Sequence, residues 1–159
     1  MDKMPIIAVI FQGIPESIVV YCFGMAIVGE YINYKKVLIA SIITPFLMMF
    51  VRSVVPVFGI HLFISVLIVF FFFFFLIKLS LNKSILSAIA SMSILLIIET
   101  LIYPRLFQIF NSSYIQAFND IYQRILFPYI VIIIYAIITF IIYKFKFSLI
   151  KGKRVNVNE

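Results

Sequence analysis

The sequence predicts an all-α integral membrane protein: a five-span helical bundle with an outer-face amphipathic segment between spans four and five. Three observations lead there. Of the 159 residues, 65% are hydrophobic and only 12% are charged, where soluble domains average about 45–50% and about 25%. The apolar residues come in long runs punctuated by lysine, arginine or proline, and a crossing helix needs about 20 such residues. Residues 106–124 instead mix apolar and polar side chains at helical spacing, the pattern of a helix lying in an interface.

The first span is expected at residues 6–29. Pro15 suits a helix's first turn, where its missing N–H costs nothing, so the helix proper starts near Ile14 after an apolar lead-in. No basic leader or small-residue cleavage site precedes this run, so it reads as a retained span. The second span, 37–52, lies between Lys35-Lys36 and Arg52, and Pro45 inside it predicts a kink. A short turn with Pro56 leads to the third, 59–78, which carries six consecutive phenylalanines, Phe70 to Phe75. Such a run would aggregate in water; in lipid it is a packing or lipid-facing stretch. The fourth span, 84–103, is expected to stop at Pro104. One of its sides, Ser87, Ala88, Ala90, Ser91 and Ser93, is small, which lets another helix approach closely.

Along residues 106–124 and into the next residue, Phe107, Phe110, Tyr114, Phe118, Ile121 and Ile125 recur every three or four positions, with Gln, Asn, Asp and Ser opposite. Asn111-Ser112-Ser113 is expected to break the segment in two. The fifth span covers 128–143. Residues 1–146 thus form a single membrane-embedded domain, and 147–159 a basic and polar cytoplasmic tail.

The net charge of +7 is spread between and after the apolar runs. That is a topology signal rather than a nucleic-acid patch, and no nucleic-acid partner is expected. With the N-terminus outside, nine lysines and arginines fall on the cytoplasmic side and four outside. The expected placement is therefore a multi-pass protein of the plasma membrane, N-terminus out and C-terminus in. A basic tail from Lys144 to Arg154 anchors this topology and suits anionic headgroups.

Four ionisable side chains sit within or at the edge of the spans: Glu16, Arg52, His61 and Glu99. Charges buried in membranes face a bundle interior, a water pocket or each other. Alternating span direction brings these four to one depth near the outer face. They form either an ion-pair network that locks the bundle or a polar pocket open outward to a ligand. No phosphate loop, zinc spacing or nucleophile–base arrangement is visible. Cys22 is the only cysteine, so no intrachain disulfide forms, and it lies in an aliphatic–aromatic stretch on a different span from His61. No catalytic residue, metal or cofactor is expected.

The order of these features resembles a known family. Pro15-Glu16 in the first span is followed by Arg52 before a proline turn and by Phe58-Gly59-Ile60-His61 opening the third span. Glu99 then precedes Pro104, and the amphipathic stretch ends in Arg124-Ile125-Leu126-Phe127-Pro128. This is similar to the N-terminal multi-span sensor region of clostridial and bacillar GHKL-type sensor histidine kinases, over almost the whole chain. Such kinases continue into a dimerisation helix with a phosphoacceptor histidine and an ATP-binding domain, and these 159 residues contain neither. The resemblance therefore implies a sensory module without the enzyme. It would bind an extracellular peptide or small amphiphile, act through a partner kinase or other membrane protein, and could form a homo-oligomer. For Glu16, Arg52, His61 and Glu99 it implies a place in the sensor pocket or its scaffold. Two other readings stay open: a small transport or substrate-binding subunit, and a non-catalytic structural membrane protein.

Overall fold

The computed structural model describes residues 6–54, 58–111 and 121–150, and every regular element in them is helical. Five helices organise the chain: α1 (Ile14–Ile27), α2 (Tyr34–Val54), α3 (Phe58–Phe71), α4 (Leu81–Ile109) and α5 (Ile121–Lys144). A helical turn, Ile6–Ala8, and a π-helical segment, Val9–Gly13, lead into α1. A second π-helical segment, Phe72–Ile77, extends α3. Five helical stretches are long and apolar enough to cross a bilayer: Val9–Ile27, Tyr34–Val54, Gly59–Ile77, Leu81–Ile109 and Leu126–Lys144. Helix is the form that lipid demands, because it satisfies backbone N–H and C=O groups within one segment.

The first helix is the hub. In its apolar window 44% of residues are buried inside the bundle, against 28–33% in the other four. It packs against α2, α4 and α5. Tyr21 and Phe23 are almost fully enclosed. Tyr21 is hydrogen-bonded to Thr44 Oγ1 of α2 at 2.7 Å and meets the buried Phe73 ring edge-on at 5.2 Å. Phe23 packs on Tyr135 of α5, whose hydroxyl donates to the Ser91 carbonyl of α4. The outward faces carry Phe63, Phe75, Leu101, Ile133 and Phe140, each more than half exposed. In water that surface would aggregate; it suits a hydrocarbon surround.

Close helix approach depends on small residues. Ser87 donates to the Gly24 carbonyl at 2.8 Å, and Ser84, Ser87, Ala88 and Ser91 are all fully buried. The expected small side of α4 thus faces the bundle, although Ser93 is exposed and Ala90 half-buried. Gly24 lies against the Phe73 ring, and Gly13 against Pro45, so closely that a β-carbon at either glycine would clash. Within the phenylalanine run, Phe73 is buried core while Phe71 and Phe75 point outward.

Several boundaries differ from expectation. The fourth helix does not stop at Pro104 but continues to Ile109, and Phe110 caps it before Asn111 turns left-handed at φ 46°. Residues 106–109, expected in a separate interfacial segment, belong to this helix. Its continuation is packed: Leu106 and Phe127 form a small buried cluster, with Phe107 and Phe110 against the Phe127 ring. Residues 112–120 of the amphipathic segment lie outside the described residues. The fifth helix starts at Ile121, so Pro128 is inside it rather than at its start. Proline is tolerated there because neighbouring helices and local adjustments satisfy the freed backbone groups. The second helix begins at Tyr34 and encloses Arg52 in its last turn. At the start of the basic and polar tail, Leu149 N–H donates to the Ile27 carbonyl at 2.9 Å.

Candidate functional site

Helix ends position Glu16, Arg52 and His61, while Glu99 lies ten residues before the end of α4. Glu16 follows Pro15 in the first turn of α1, and the glutamine one turn earlier, Gln12, hydrogen-bonds its carboxylate. Arg52 lies in the last turn of α2, where the helix dipole favours a cation. His61 follows in the first turn of α3, on the far side of the 55–57 connection. Glu99 sits on α4, one turn before Tyr103, whose hydroxyl donates to Glu99 Oε1 at a long 3.4 Å.

The antiparallel arrangement of α1–α4 assembles these residues at one end of the bundle. Arg52 Nε donates to His61 Nε2 at 3.1 Å, and the imidazole is buried. An accepting Nε2 needs a free lone pair, so His61 carries its proton on Nδ1. The Arg52 charge acts on both Glu16 and Glu99, and the two carboxylates act on each other. Both carboxylate residues are half-buried. Glu16 also acts electrostatically on Tyr135, deeper in the bundle.

All four residues singled out in the sequence therefore share one neighbourhood. Gln12 and Tyr103 complete it and were not singled out. Both carry a faint signal, since Gln12–Glu16 and Glu99–Tyr103 are each four residues apart and so on one helix face. The arrangement can hold charge in a low-dielectric setting: two carboxylates lie within electrostatic reach of one guanidinium, which donates through Nε to the imidazole. Among the described residues no group of three His, Cys, Asp or Glu side chains could hold a metal ion.

The opposite end has its own polar cluster. Glu30, just past α1, forms an ion pair with Lys83 near the start of α4. Lys36 Nζ donates to the Ile77 carbonyl at 3.2 Å. Sequence reasoning used these lysines only as topology markers.

Fold and polar ends together define a multi-pass α-helical membrane protein with ionisable groups gathered at both ends of its helices. Comparison with protein-family models, curated proteins and solved structures finds no match.

Proposed function

We propose that the chain is a membrane sensor module that receives an extracellular ligand at the layer of Glu16, Arg52, His61 and Glu99 and signals through a membrane partner such as a kinase. One observation carries this reading: two half-buried carboxylates lie within electrostatic reach of a single guanidinium. An ion-pair lock needs matched charges, because an uncompensated buried charge is costly. Among the described residues two acids face the one guanidinium, and the Arg52–His61 bond uses the imidazole as an acceptor. A ligand bearing an ammonium group, such as the amino terminus of a peptide, would supply a second cation to this pair of acids. Its carboxylate or carbonyl groups could then compete for Arg52.

The outward direction rests on charge. Lys35, Lys36, Lys78, Lys83, Lys144 and Lys146 belong to the end opposite the polar layer, and with the three basic residues at 151–154 they make nine against four. Such an excess is usually held in the cytoplasm, which supports a layer that faces outside. The resemblance to sensor-kinase membrane regions fits the same reading.

The test is recovery of the tagged full chain from native membranes, with and without conditioned growth medium. Co-purification of a histidine kinase, in an amount that the medium changes, is expected. Recovery of no kinase, or of the same amount under both conditions, overturns the reading. Co-purification of a transporter ATPase instead, with uptake of solute into vesicles, would move the chain to a transport role.

A further inference from the structure

A cleft of about 280 Å³ opens at the lysine end, between the turn after α1, the start of α2 and the α3–α4 connection. Lys36, Lys78 and Lys83 line it, with Glu30 as its acid. Glu30 is taken by Lys83, and Lys36 is tied to a backbone carbonyl. The Lys78 ammonium makes no hydrogen bond or ion pair among the described residues. Two net positive charges thus face one concavity. The Ser80 side chain makes no capping bond at the start of α4, which leaves backbone N–H donors on the same rim. Lysines and helix-start donors together suit a phosphate group.

A second feature selects the source of that phosphate. An apolar groove of about 320 Å³ runs between α2 and α3, lined by Leu47, Ile68, Phe72, Phe75 and Leu76. Lys36 in the cleft and Leu47 in the groove are eleven residues apart. That is three helical turns within about 20° of one face, and roughly 16 Å along α2. On the other wall, Ile77 borders the cleft and its neighbour Leu76 the groove. Cleft and groove therefore follow each other along the same pair of helices, from the basic end into the apolar span.

We propose that the cleft binds the phosphate headgroup of an anionic phospholipid whose acyl chain lies in the α2–α3 groove. A free phosphate would occupy only the cleft, whereas a phospholipid fills both. The site lies at the end opposite the Glu16–Glu99 layer and stands or falls independently of the sensor reading.

Lys78 offers a clean test because its backbone is left-handed, φ 66°, at the end of the π-helical segment, where glycine is the usual residue. Lys78→Gly removes the charge while relieving the backbone, so the fold survives. The full chain in mild detergent is melted with added phosphatidylglycerol, phosphatidylcholine or inorganic phosphate. Phosphatidylglycerol alone should raise the melting temperature. Lys78→Gly should keep the phosphatidylcholine melting temperature and weaken apparent phosphatidylglycerol affinity about fivefold, the share of one lysine near an anionic headgroup. Lys36→Gln should act alike, and Arg105→Gln, outside the cleft and near the other end of the bundle, should change nothing. Equal shifts with both lipids, or an unaltered response in Lys78→Gly, overturn the proposal. A shift from inorganic phosphate as large as that from phosphatidylglycerol overturns the lipid assignment and leaves a free-phosphate site.

Discussion

Gly24→Ala tests the packing at the hub of the bundle. A β-carbon at Gly24 would lie 3.0 and 3.1 Å from Phe73 Cε2 and Cε1, and nearer still to Cζ. Carbon atoms settle at about 3.5–4.0 Å, so the ring must retreat by at least ~0.5 Å. It has nowhere to go: Phe73 is fully buried, and the Tyr21 ring stands 5.2 Å away on α1. Overpacking of this kind costs about 1–3 kcal/mol, while alanine returns about 0.5–1 kcal/mol of helix propensity. The expected result is a net loss of about 1–2 kcal/mol, read as a lower midpoint in thermal or denaturant unfolding in mild detergent. Phe73→Leu frees the space, so adding Gly24→Ala to it should cost nothing or stabilise. If Gly24→Ala is neutral in the parent chain, or costs the same in the Phe73→Leu background, the close approach of α1 to the Phe73 ring is refuted.

Other outcomes follow from the same contacts. Arg52→Gln leaves two neighbouring carboxylates without their guanidinium and should destabilise by about 1–2 kcal/mol, below the about 3–5 kcal/mol of a fully buried pair because Arg52 is an exposed residue. Arg52→Gln/Glu99→Gln should recover most of that loss in thermal unfolding; a double variant no better than the single one argues against the shared charge. Tyr21→Phe removes the bond to Thr44 and should cost about 0.6 kcal/mol, the average for hydrogen bonds between membrane helices. A Tyr21–Thr44 double-mutant cycle measures it, and a coupling of zero removes that bond from the account. Glu30→Gln should change unfolding by less than about 1 kcal/mol, because Glu30 and Lys83 are 32% and 27% exposed.

The sequence is informative about the fold's class and poor about its interior. Five apolar runs are legible from composition because the bilayer imposes length and helix on them. Which run becomes the hub is not: lipid is as apolar as a helix core, so hydropathy does not separate inside from outside. The small side of α4 was a better guide, since Ser87, Ala88 and Ser91 mark where α1 comes close. Pro104 and Pro128 misled as helix boundaries, because a rule learned from water gives way where no other backbone form is satisfied. Glu16, Arg52, His61 and Glu99 are legible as ionisable groups in apolar surroundings. Gln12 and Tyr103 do not stand out, because uncharged polar residues at span ends are common.

The central claim is that the polar layer opens to the outside of the cell. The direct measurement is thiol labelling of Glu99→Cys in a Cys22→Ser background, so that one thiol remains, with a charged, membrane-impermeant maleimide. Labelling in intact cells, slowed by Arg52-competing anions, is the expected result. Labelling only in inverted vesicles, or only after unfolding in detergent, would contradict it: the first reverses the orientation, and the second makes the layer a closed lock.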